Sequence, residues 1–123
     1  MERHDKGLEM LSEMLPAGVF EQVKEGRYGG AFAGRMMEMV VSHVYGEIWS
    51  RPGLDRRARS LVTLGMLIAQ NAEEELEVHL RMALNNGCTV EEIEEVLYQA
   101  TAYVGFPAAM SARRVAGKVV GGG

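Results

Sequence analysis

The segment Ser50-Arg51-Pro52-Gly53-Leu54 separates two stretches whose apolar residues recur at helical spacing, and this constrains the fold more than any other feature. Pro52 disfavours α-helix at Arg51 and Gly53 follows at once, so one helix must stop and another must start here. Upstream, Phe32, Met36, Met39, Val40, Val44 and Ile48 predict one long helix from Ala31 to Trp49 with those residues as its buried stripe. Downstream, Asp55 is suited to cap the next helix. Residues Ala58 to Gln70 are apolar nearly all round, which predicts a helix at the centre of the core.

The remaining segments repeat the pattern. Leu8, Leu11 and Leu15 have helical spacing, ended by Pro16 and Gly18. A short helical piece is expected from Val19 to Lys24, followed by a flexible connection at Gly26, Gly29 and Gly30. Glu73 to Asn85 reads as a helix with Leu76, Leu80, Ala83 and Leu84 on one face and Gly87 as its stop. Thr89 and Glu92 form a capping-box pair opening a helix through Ile93, Val96, Leu97, Ala100 and Val104. Gly105 and Pro107 interrupt it, and a last helix is expected from about Ala108 to Val119, with Gly121 to Gly123 frayed. No segment alternates with period two, so the expected class is all-α, about six helices with short connections, in a single domain over residues 1–123.

Composition excludes several functions. A net charge of -4 disfavours a nucleic-acid partner. Yet Arg51, Arg56, Arg57 and Arg59 lie within nine positions, a local positive cluster that suits a small anion. Cys88 is the single cysteine, so neither an internal disulfide nor a CxxC pair is available. The charged opening lacks a signal-peptide pattern, and no run of about 18 apolar residues spans a membrane, which makes the cytoplasm the expected compartment. Several helices look apolar on more than one face, and nine methionines fall mostly on apolar stripes, which predicts burial against other subunits.

The residues able to carry chemistry gather around the break and on one later helix. Glu47 lies four residues after His43, near a helix C-terminus where the dipole disfavours an acid; it reads as either a solvated acid or a functional one. Trp49 at the break either caps the core or lines a site. Arg51, Arg56 and Arg57 are surface charge or anion ligands, with the Glu73-Glu74-Glu75 run as alternative partners. His79 falls on the apolar stripe of its helix, as a satisfied core histidine or a general acid. No third ligand joins His43 and Glu47, so no metal site is expected, and no glycine-rich loop follows a strand to cradle a nucleotide.

Three blocks together resemble the carboxymuconolactone decarboxylase family: Tyr45 to Leu61 with its Gly46-Glu47-Ile48-Trp49 and Arg51-Pro52-Gly53-Leu54; Glu75 to Gly87 around His79; and Glu91 to Leu97 followed by Ala102 to Ala109. The resemblance covers roughly Val40 to Ala116 and implies the alkylhydroperoxidase-D-like helical fold, commonly assembled as a hexamer or trimer. The peroxidase branch of that superfamily carries a CxxC ahead of the histidine. Here the matching stretch is Ala72-Glu73-Glu74-Glu75, and the helix acid of that branch falls at Ser60. A dithiol cycle therefore has no thiols to run on.

The resemblance implies conversion of 4-carboxymuconolactone, or a related carboxylated lactone, to 3-oxoadipate enol-lactone with loss of carbon dioxide, a step of aromatic-compound catabolism. It implies no cofactor, because the conjugated lactone carbonyl accepts the electrons. His79 would be the general acid, with Glu47 orienting it or sharing its proton, and Arg51, Arg56 and Trp49 would bind the small anionic lactone. The alternatives are a relative with a different small-molecule or peroxide-related activity, or an oligomeric binding module without chemistry.

Overall fold

The computed structural model describes residues 2–24 and 32–121. The glycine connection at 26–30, the expected helix start at Ala31, and Gly122 and Gly123 lie outside the described residues. Among the described residues every regular element is helical. The helices are α1 (Arg3–Met14), α2 (Ala17–Lys24), α3 (Arg35–Met39) continuing directly into a π-helix, π1 (Val40–Ile48), then α4 (Arg56–Ala69), α5 (Glu73–Asn85), α6 (Val90–Tyr103) and α7 (Phe106–Val120). The chain falls into two compact units, Met1–Leu54 and Asp55–Gly123.

In the first unit α1 packs along π1. The crossing is held at two glycines. A Cβ on Gly7 would lie 2.0 Å from the Val41 carbonyl oxygen, and one on Gly46 would lie 2.0 Å from that of Arg3. The paired positions run in opposite order along the chain, so the two helices are antiparallel and touch backbone to backbone. Leu11, Met14, Leu15, Val41, Tyr45 and Trp49 are buried.

The long helix before the break is present, but its buried face is not the one expected. Phe32, Met36 and Met39 are 102%, 65% and 60% exposed, whereas Val41, Tyr45 and Gly46 are buried. The buried face is the one that α1 covers, and Phe32, Met36 and Met39 precede the π-winding, which begins at Val40. In π1 the turns close five residues apart, as in the 2.8 Å bond from Trp49 N to the Val44 carbonyl. Each turn is wider, so residues four or five apart stay on one face. Val41, Tyr45, Gly46 and Trp49 then line up on the side that faces α1.

In the second unit α4, α5, α6 and α7 enclose one core containing Leu64, Ile68, Leu76, Leu80, Ile93 and Val115. Local chemistry starts and stops these helices as the sequence predicts. The Asp55 carboxylate accepts from Ala58 N at 2.8 Å, and Thr89 and Glu92 form the reciprocal capping box. Gly87, with φ of 96°, follows the end of α5 in a conformation most side chains avoid. The expectation for α4 needs correction. It buries a single stripe of Ser60, Leu64 and Ile68, while Val62 and Met66 are 47% and 60% exposed. Its neighbours within the unit pack on that stripe and leave much of Val62 and Met66 open. Helix α7 opens at Phe106, two residues earlier than expected, with Pro107 in its first turn where its missing N–H leaves no gap.

Candidate active site

In the first unit, π1 presents Glu47 beside α1. Because Gly46 lets the Arg3 backbone approach so closely, the Arg3 guanidinium reaches the Glu47 carboxylate, with Nη1 2.8 Å from Oε2. His43, four residues upstream, places Nδ1 3.4 Å from the other oxygen, Oε1. Each carboxylate oxygen thus faces a basic side chain of the same unit, Oε2 by charge without a hydrogen bond. The helix end is closed by Ser50, whose hydroxyl donates to the Gly46 carbonyl at 2.8 Å and lies 3.3 Å from that of Glu47. Trp49 is 6% exposed and stacks on Tyr45 with ring centroids 5.9 Å apart. Burial pushes the Tyr45 hydroxyl up to about 12, so it remains protonated at neutral pH. Little of the indole surface is open in this unit. Arg51 follows on the exposed turn, its N–H 3.1 Å from the Ile48 carbonyl.

In the second unit Arg56 is the first residue of α4, and Arg57 is taken up structurally. Its guanidinium meets the Glu92 carboxylate at both oxygens, Nε donating to Oε1 at 3.2 Å and Nη2 pairing with Oε2. The same Oε1 accepts the Thr89 N–H at 2.9 Å, so this arginine extends the capping box of α6 across to α4. The glutamate run makes a different partner from those considered: Glu73 pairs with Arg114 at 3.1 Å. Ser60 is 2% exposed and accepts from the Asn86 side-chain amide at 3.0 Å. Cys88 is buried, and its thiol lies 3.5 Å from the Arg57 carbonyl oxygen that accepts it. Burial pushes that thiol up, against the Arg57 cation and with the Asp55 carboxylate, which keeps it protonated and poorly nucleophilic.

His79 stands on α5 at the edge of the buried Leu76, Leu80 and Ala83 stripe and is half-buried. Burial pushes its imidazole below the ordinary value, and the Glu75 carboxylate one turn earlier pulls the other way. The net shift favours the neutral imidazole in the unliganded chain.

The second unit carries two grooves. One of about 480 Å³ is lined by Leu61, Val62, Val96 and Tyr103 with Glu92 and Glu95, and its lining holds no lysine or arginine to bind a carboxylate. One of about 320 Å³ runs between α6 and α7 past Leu97, Tyr98 and Met110. Neither is lined by Glu47, Trp49, Arg51, Arg56 or His79. Among the described residues no three His, Cys, Asp or Glu side chains gather as a metal-binding group, and no helix is long and apolar enough to cross a membrane.

The pairing partner of Glu47 is what sequence reasoning missed. Arg3 lies in no motif, and only the glycines at 7 and 46 hint that another backbone approaches closely.

Comparison with known proteins agrees with the three sequence blocks. The chain is 36% identical over 118 residues to a 4-carboxymuconolactone decarboxylase of Acinetobacter baylyi, covering 96% of this chain and 87% of that protein. It is 37% identical over 116 residues to a nitrosuccinic acid decarboxylase of Metarhizium robertsii, covering 94% of this chain and 80% of that protein. Decarboxylation is thus an activity found among its relatives. A family model described as the carboxymuconolactone decarboxylase family matches residues 34–118. With most of its length matched in this way, the chain belongs to the carboxymuconolactone decarboxylase family.

Proposed function

We propose that this chain is a cofactor-independent carboxy-lyase that converts 4-carboxymuconolactone, or a closely related carboxylated lactone, to the enol-lactone of 3-oxoadipate. The observation that carries this is the similarity to a 4-carboxymuconolactone decarboxylase along 96% of the chain. The second relative widens the chemical class. Nitrosuccinic acid and 4-carboxymuconolactone both carry a carboxylate whose loss leaves an electron pair that a neighbouring acceptor can take up, a nitro group in one and a conjugated lactone carbonyl in the other. Each also keeps a second carboxylate. An enzyme for this class must bind two negative charges, shed one as carbon dioxide and deliver one proton.

In the reaction the bond to the departing carboxylate breaks and its electron pair moves into the conjugated lactone. Carbon dioxide leaves and a proton is added at the dienolate carbon. We assign the proton to His79 as general acid and its sharing to Glu47. The carboxylates go to Arg51 and Arg56, whose planar guanidinium groups match a carboxylate with two parallel hydrogen bonds, and an apolar contact goes to Trp49. The substrate supplies its own electron sink, so no cofactor takes part in this scheme. One functional domain is proposed for the chain, since the family match runs through residue 54 without interruption. A homo-oligomer, hexamer or trimer, in the cytoplasm completes the proposal.

The test is turnover of enzymatically generated 4-carboxymuconolactone, followed by loss of lactone absorbance and release of carbon dioxide, with nitrosuccinate in parallel. Wild type should turn over the lactone, and His79→Gln should lower kcat by about 10²–10⁴-fold at unchanged fold. Turnover by the variant at the wild-type rate would remove His79 from the mechanism. Turnover of nitrosuccinate alone would transfer the activity to the other acid.

A further inference from the structure

We propose that Arg3, on the amino-terminal helix, is a positioning residue for Glu47, a role that rests on the carboxy-lyase reading above. Arg3 lies outside the 34–118 stretch that the family model matches, yet its Nη1 is 2.8 Å from Glu47 Oε2. That oxygen is shut off from solvent, although the Glu47 side chain as a whole is 35% exposed. Among the described residues no hydrogen bond reaches that oxygen, so the charge of the guanidinium at 2.8 Å is what offsets the cost of shielding it. The placement is imposed by the backbone, because the Arg3 carbonyl occupies the space a Cβ on Gly46 would need. The residue next to Glu47 therefore fixes where α1 begins, and α1 returns a cation to Glu47. His43 Nδ1 lies 3.4 Å from Oε1, so a basic side chain faces each carboxylate oxygen. A group that shares a proton in catalysis gains from such support, since small misplacements of reacting groups are expensive.

The variants are chosen to separate charge from cover. Arg3→Met keeps an apolar stem and removes the cation, and Arg3→Lys returns a cation. With the lactone as substrate, Arg3→Met should lower kcat about tenfold while KM stays within about twofold, and Arg3→Lys should recover most of the loss. In a Glu47→Gln background Arg3→Met should change nothing further, because Arg3 acts through Glu47. An unchanged kcat in Arg3→Met overturns the proposal. So does a raised KM at constant kcat, which would make Arg3 a substrate ligand, and so does a full further loss in the Glu47→Gln background. If wild type turns over neither acid, the carboxy-lyase reading fails separately, and the contact is read by NMR. An Arg3 Nε–H signal that moves on Glu47→Gln supports the pairing, and one that stays in place overturns it.

Discussion

At the scale of single residues, environment decides between roles that residue type leaves open. Cys88 and His79 are both drawn away from their ordinary proton affinity by burial, with opposite consequences. The thiol is held protonated and inert, while the imidazole loses its proton more readily. For His79 as general acid this fixes the sign of a pH dependence. The free enzyme should lose kcat/KM as pH rises through a point below the ordinary histidine value of about 6.5. Bound carboxylates favour the imidazolium, so the corresponding limb in kcat should lie at higher pH. Parallel pH profiles of kcat and kcat/KM check this, and coincident limbs, or a limb that survives in His79→Gln, would contradict it. Stability follows the same linkage. The unfolded chain protonates this histidine before the folded one does, so stability held at neutral pH falls as pH drops below about 6.5.

At the scale of elements, two glycines within helices give opposite predictions. Gly46 is pressed against the Arg3 carbonyl, so Gly46→Ala must push α1 off π1 and should cost on the order of 1–3 kcal/mol. Gly65, in the middle of α4, has nothing within 4 Å of an added Cβ. Gly65→Ala should therefore stabilise by about 0.5–1 kcal/mol through helix propensity alone. Urea unfolding of both variants measures the contrast, and equal effects of one sign would refute the close crossing. The π-winding belongs to the same scale. It brings Val41, Tyr45, Gly46 and Trp49 to one face, so that the glycine meets α1 while Glu47 beside it meets Arg3.

At the scale of the whole molecule, apolar surface remains open in both units. Phe32, Met36 and Met39 in the first and Val62, Met66, Tyr103 and Phe106 in the second are all exposed, more than scattered surface hydrophobics explain. A symmetric assembly would cover such faces. Light scattering should give a mass several times that of one chain. A folded, soluble monomer at micromolar concentration would overturn the homo-oligomer.

The sequence by itself determined whatever depends on neighbours in the chain. Asp55 caps α4, Thr89 with Glu92 opens α6, Glu73 and Asn85 bound α5, and Gly87 ends it, each by an interaction spanning a few residues. The three blocks around Glu47, His79 and Glu92 likewise carried the family, because the match needs only residue identity and order. Only the tertiary structure decided which face each helix buries and which partner each charge takes. Arg57 went to Glu92, Glu73 to Arg114 and Glu47 to Arg3, pairs separated by 35 or more positions. The stripe expected on the long helix was read from spacing alone, and the packing of α1 chose a different face, that of Val41, Tyr45 and Gly46. Winding and long-range pairing follow from how close two backbones can come, and that is settled by packing across the fold rather than by local spacing.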